Sequence, residues 1–243
     1  CDPKGALYVP GAEQDMARLI DWIEKHGEEL EEIVCSFDSH HVWDIAHPAF
    51  WENEKGDSPA PFTVITAEDV EKKKWKPKRE YERVVNYVRA LESLGKQHVI
   101  WPEHCLIGTK GWNLYPPLAD VLVEWERKTG RKVTPVLKGA YPYTEHFGIF
   151  CAEVPDPNVP ETQPNAALLD QLSRYEEVYV SGEALSHCVG TSLLQIHRFR
   201  PELLKRTYLL EGTASIIMGF EESTDSLLQR LKEAGLRMIS VLD

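Results

Sequence analysis

Apolar and polar positions along the chain alternate between two periods. Met16, Leu19, Ile20 and Ile23 recur at helical spacing, and residues 32–37 form an apolar run of strand length. Val84, Val85, Val88 and Leu91 mark a second helix that ends near Gly95, and a strand follows at 98–101. A helix is predicted at 118–125 and a strand at 132–137. The last third repeats the rhythm: a helix at 166–172, a strand at 177–180, and a helix after Cys188 carried by Val189, Leu193, Leu194 and His197. A strand at 207–210, a helix at 226–236 and a closing strand at 238–241 complete it. Strands alternating with amphipathic helices predict an α/β fold of three layers, αβα, around a central, mostly parallel sheet.

Three polar or proline-rich stretches, 52–61, 67–77 and 154–164, interrupt the rhythm. Each is too short for a domain, so they are expected to be surface excursions able to cap a pocket, within one domain spanning 1–243. A net charge of -12 argues against nucleic acid or an anionic membrane surface as partner. No apolar stretch is long enough for a membrane span. The five cysteines, at 1, 35, 105, 151 and 188, show no paired spacing, which predicts reduced thiols and a cytoplasmic setting.

In open parallel sheets, ligands bind beyond the carboxyl ends of the strands. The chemistry-bearing residues fall at those positions. Asp38 and His40 follow the strand ending at Phe37, His104 follows the one ending at Trp101, Lys138 the one ending at Leu137, and Cys188 the one ending at Val180. Asp38 and His40 lie two apart in extended chain, and His104 from a neighbouring strand end completes a carboxylate–imidazole set suited to Zn²⁺, with Mn²⁺ or Fe²⁺ as alternatives. Loop capping by the same residues is the competing reading, and His47 is a further candidate ligand. Cys188 sits where a polar turn opens a helix, a place that favours thiolate and oxyanion alike. Lys138 beside it would stabilise the thiolate. Trp101 is a candidate wall of a pocket for a planar substrate. His187 adjoins Cys188, but sequence neighbours rarely have the geometry of a nucleophile–base pair, and Lys72 to Lys74 read as a solvated face.

The segments FDSHH, WPEHCLIGT, LKGAY and GEALSHCVG, in this order and at these separations, resemble the isochorismatase-like cysteine hydrolases, most specifically their nicotinamidase branch. The resemblance spans essentially the whole chain. It implies an amidohydrolase acting on a small carboxamide such as nicotinamide, with Cys188 as nucleophile, a thioester intermediate and release of ammonia. It implies that Lys138 stabilises the thiolate and developing charge, and that Asp38, His40 and His104 hold the metal, which in nicotinamidases binds the pyridine nitrogen of the substrate. Trp101 would line the ring pocket. A cis peptide is implied at Glu183–Ala184, with the N–H groups of Ala184 and Cys188 forming an oxyanion hole. Homo-oligomerisation stays open.

Two departures stand out. The family's general base is an Asp in a D-x-Q-x-D-F motif on a first strand that precedes the segment starting here at Cys1, so the native polypeptide is expected to extend N-terminally. After Lys138 the chain reads GAYPYTEHFGIF, and Glu145 and His146 are expected to reach the pocket and alter what it accepts. Two other readings compete with the amidase: an isochorismatase-type hydrolase of vinyl ethers, which needs neither the cysteine nor the metal set, and a catalytically silent binding relative.

Overall fold

The strand-length apolar runs settle into two parallel blocks in the computed structural model, which describes residues 1–241. The first half of the chain contains α1 (Ala12–His26), β1 (Ile33–Asp38), β2 (Trp51–Glu52), β3 (Val64–Ile65), α2 (Ala67–Glu71), β4 (Lys76–Pro77), α3 (Tyr81–Ser93), β5 (His98–Val99) and α4 (Pro116–Thr129). The second contains β6 (Val133–Lys138), α5 (Ala166–Leu172), β7 (Val178–Val180), α6 (Gly190–Phe199), α7 (Pro201–Leu204), β8 (Thr207–Glu211), α8 (Glu221–Glu233) and β9 (Arg237–Ser240). β1 pairs with β6, and β8 lies between β7 and β9; every pair in these blocks is parallel. No strand hydrogen bond joins the two blocks among the described residues.

Alternation along the strands sets the layers. Val178 and Val180 of β7 face a core with Leu169, Leu193, Ile196, Leu203 and Leu209, against which Val34 of β1 and Val136 of β6 also pack. Tyr179, between those valines, points the other way, with its ring 5.1 Å from Trp22 of α1 and stacked on Tyr208. Helices α5 to α8 therefore cover one face. α1 covers the other and packs on α4, where the Trp125 indole donates to the carbonyl of Gly27. This is the three-layer α/β arrangement that the periodicity predicts.

Apart from α3, which forms where the sequence predicts it, the region from 45 to 101 differs from expectation. The strand predicted at 98–101 shrinks to His98–Val99 and pairs antiparallel with β3 rather than joining a parallel block. The stretch at 67–77 is not a mere surface excursion, whereas 52–61 is largely exposed as expected. With α3, 67–77 helps bury a second apolar core of Ile45, Phe50, Trp51, Ile65, Val70, Val84, Val88, Leu91 and Ile100. These apolar residues come in short scattered clusters, at 49–51, 64–65 and 70, so no period announces them, yet together they fill one volume. A Thr66–Asp69 capping box starts the short α2 inside that unit.

Candidate active site

Four strand ends deliver the polar side chains to one place. The parallel register of β1 and β6 sets Asp38 opposite Lys138, and the Lys138 ammonium donates to Asp38 Oδ1 at 2.8 Å. The same ammonium donates to the His146 carbonyl at 2.9 Å and lies 3.7 Å from Cys188 Sγ. Lys138 is 5% exposed, so its charge depends on these partners. Burial opposes that charge, but Asp38 outweighs it and keeps the ammonium above its ordinary range. Gly139 follows with φ +83°, and a Cβ there would press on His40 at 3.1 Å and Asp38 at 3.2 Å. Both the left-handed backbone and the close approach require glycine.

The other oxygen of Asp38 faces two imidazoles. Its Oδ2 lies 3.2 Å from His40 Nε2 and 3.6 Å from His104 Nε2. A parallel bridge between His40 and Leu106 brings the 104–107 segment alongside His40. Two donors 2.0–2.1 Å from a tetrahedral ion lie about 3.3 Å apart, so these spacings fit a divalent ion. The outer nitrogens support the same reading. His40 Nδ1 bonds Asp44 Oδ2 at 3.0 Å, and His104 Nδ1 donates to the Pro102 carbonyl at 2.8 Å. Each ring is thereby locked with Nε2 turned inward, the usual support of a metal-binding histidine. Burial alone would raise the Asp38 carboxyl, but Lys138, His104 and His40 hold it well below the usual carboxylate range. Burial likewise depresses His40, yet Asp38 and Asp44 carry it up to about 10, so metal binding must displace a proton.

His47 stands outside this set. It is fully buried, its Nδ1 donates to the His41 carbonyl, and its Nε2 lies 3.2 Å from His104 Nδ1. It buttresses His104 instead of completing the cluster Asp38, His40 and His104. Asp44, Pro102 and His146 act through a carboxylate or carbonyls that no spacing in the sequence singles out.

Cys188 lies within a π-turn, Leu185–Val189, that leads into α6. The Glu183–Ala184 peptide is cis. The N–H groups of Leu185, His187 and Val189 are committed to carbonyls, whereas that of Ala184 makes no hydrogen bond among the described residues. Burial pushes the Cys188 thiol up, and Lys138 offsets only part of the rise because Asp38 already neutralises it. Cys188 is thereby biased toward the thiol form. Beside it, the His187 ring meets Phe220 at 4.6 Å, Trp101 at 5.9 Å and Phe147 at 6.0 Å, an aromatic wall next to Cys188. The Trp101 indole donates to Glu145 Oε2 at 3.3 Å. Glu145 therefore sits beneath Trp101, and His146 supplies its carbonyl to Lys138.

Under the turn, Glu183 and Asp15 of α1 converge on Ser215. The Ser215 N–H donates to Glu183 Oε2 at 3.0 Å and its hydroxyl donates to Asp15 Oδ2. Burial, then the neighbouring Asp15, push Glu183 up to about 8. An acid whose folded pKa is raised keeps its proton when folded and loses it when unfolded. Its contribution is therefore intact below the ordinary value near 4.5 and erodes as the pH rises towards 8. Thermal unfolding of the wild type is expected to show that decline, and Glu183→Gln is expected to flatten it. An unchanged slope in the variant would refute the assignment.

Comparison with solved structures places this fold. A nicotinamidase/pyrazinamidase from Acinetobacter baumanii superposes with a TM-score of 0.63 at 19% identity, covering 99% of this chain and 90% of that one. The yeast nicotinamidase bound to the inhibitor nicotinaldehyde gives 0.65 at 19% identity, covering 99% and 94%. A Pyrococcus horikoshii pyrazinamidase in complex with zinc gives 0.56 at 17% identity, covering 98% and 92%. The chain has the α/β fold of these amidases, the isochorismatase-like hydrolase fold. No family model matches it, and no curated protein does. No helix among the described residues is long and apolar enough to cross a membrane.

Proposed function

We propose that the protein is a cysteine-dependent amidohydrolase acting on a small carboxamide such as nicotinamide. The observation that carries this reading is Lys138, whose ammonium lies between Asp38 Oδ1 at 2.8 Å and Cys188 Sγ at 3.7 Å, beside the Asp38, His40 and His104 cluster. Likeness in fold to enzymes whose structures hold nicotinaldehyde or zinc supports it.

In this reading Cys188 gives up its proton and its sulfur attacks the amide carbon, forming a C–S bond while the carbonyl electrons move to oxygen. Lys138, already cationic, cannot take that proton, so the acceptor is another base. The N–H groups of Ala184 and Cys188 meet the oxyanion. Its collapse breaks the C–N bond, and the leaving nitrogen departs with a proton as ammonia. Water then cleaves the thioester to the acid and restores the thiol. Trp101, His187 and Phe220 hold a flat ring. Asp38, His40 and His104 would hold the ion, zinc by the nitrogen-rich donor set, which in an open site offers a position for a substrate nitrogen.

The isochorismatase-type alternative leaves a lysine-paired cysteine without work, and the silent relative leaves the locked histidines without work. An ammonia-release screen over small amides, nicotinamide included, with zinc content measured in parallel, tests the reading. Turnover is expected, with kcat/KM rising with pH because burial raises the Cys188 thiol. No bound zinc together with no ammonia from any amide would favour the silent relative.

A further inference from the structure

We propose that Glu145 and His98 hold one buried proton between them, and that this pair fixes the Trp101 indole against the nucleophile turn, making Glu145 a positioning residue for the substrate ring. The functional half rests on Trp101 lining the amide pocket; the proton itself does not.

The argument is hydrogen-bond accounting. His98 is 1% exposed and Glu145 5%. His98 Nε2 lies 3.0 Å from the carbonyl of Ile45, which only accepts, so the hydrogen sits on Nε2. A neutral ring then turns a bare Nδ1 lone pair toward Glu145 Oε1, 3.5 Å away. An ionised carboxylate has only lone pairs to offer in return. Neither atom has any other partner among the described residues. Two facing acceptors, both cut off from water, each forfeit a hydrogen bond, and one proton placed between them satisfies both. It serves equally as imidazolium facing carboxylate or as imidazole facing carboxylic acid.

Everything packed around the pair holds it in place. The ring of Trp51 lies 5.4 Å from His98 and that of Tyr87 5.6 Å. The Glu145 N–H donates to the Tyr87 hydroxyl at 3.3 Å, and its carbonyl accepts from the Glu153 N–H at 2.8 Å. The Glu153 carboxylate is taken by Lys96, and that of Asp44 by His40. No neighbouring cation is left for Glu145 among the described residues. Its second oxygen accepts the Trp101 indole N–H at 3.3 Å. The Trp101 ring is in turn edge-on to His187, next to Cys188, at 5.9 Å. A bond between two side chains buried in the second core thus sets the tilt of an aromatic wall at the nucleophile.

The test combines a spectroscopic and a kinetic readout. In ¹⁵N-labelled protein, the Nδ1 resonance of His98 is expected to be displaced from that of a bare imidazole nitrogen, and in Glu145→Leu it is expected to return to the bare value. Identical Nδ1 resonances in wild type and Glu145→Leu would overturn the shared proton, whatever the enzyme hydrolyses. With nicotinamide as substrate, Glu145→Leu is expected to raise KM roughly tenfold while kcat changes less than about threefold. Glu145→Gln, whose amide can donate to Nδ1 and still accept from the indole, is expected to restore KM to within about twofold. A Glu145→Gln variant as impaired as Glu145→Leu would overturn the positioning role. Failure of nicotinamide turnover in the wild type would strike the function proposed above and leave the resonance test standing.

Discussion

Cys188→Ala is expected to lower ammonia release by about 10⁴-fold or more while leaving the fold and zinc content intact. Cys188 is half-buried, so losing one sulfur leaves only a small gap, costing no more than about 1 kcal/mol of stability. The only polar group within bonding range of its sulfur among the described residues is the Lys138 ammonium, at 3.7 Å, which keeps its bonds to Asp38 and to the His146 carbonyl in the variant. The collapse in rate should therefore come without a matching shift in melting temperature. A variant that kept a tenth of wild-type turnover would move the chemistry from the thiol to the metal, and the proposed mechanism would fall.

Asp38→Asn is expected to be the more damaging change, because one carboxylate does two jobs. Oδ1 neutralises buried Lys138, and Oδ2 faces the two Nε2 atoms. Asparagine fits the space but carries no charge. It leaves the lysine without its counterion, a loss of about 3–5 kcal/mol for a broken buried pair, and it is expected to weaken zinc binding by roughly 100-fold or more. The two losses are separable by calorimetry on metal-free protein and by zinc titration. The pH dependence has a definite sign. Because the folded pKa of Asp38 is depressed, its stabilising effect is complete above its ordinary value near 3.8 and is lost as the pH falls through the lower folded value. The wild type should thus lose stability at acid pH, and Asp38→Asn should lose correspondingly less. Zinc bound as tightly by the variant as by the wild type would remove Asp38 from the ligand set.

Much of this was legible along the chain. Helices such as Ala12–His26 and Tyr81–Ser93 carry their apolar positions at helical spacing, and burial follows it; strands such as Ile33–Asp38 and Val133–Lys138 stand out as short apolar runs. Strand ends are local features too, so Asp38, Lys138 and Cys188 could be placed at the ligand-facing edge of a parallel sheet before any contact was known. The region from 45 to 77 was not legible. There the apolar residues come in short clusters without a period and only converge in space, which made the core around Trp51 and Val70 look like loop.

The sequence by itself determined which chemical groups the protein has and the strand ends from which they project, because periodicity and turn chemistry are properties of neighbouring residues. Tertiary structure alone decided their states and roles. His47 became a buttress instead of a ligand when its Nε2 was taken up against His104. Glu145 went beneath Trp101, against a histidine 47 positions earlier in the chain, instead of into open pocket. Cys188 kept its proton because burial outweighs a lysine already neutralised by Asp38. Each of these outcomes depends on distance and exclusion of water between residues far apart in the chain, and no spacing along the sequence encodes those quantities.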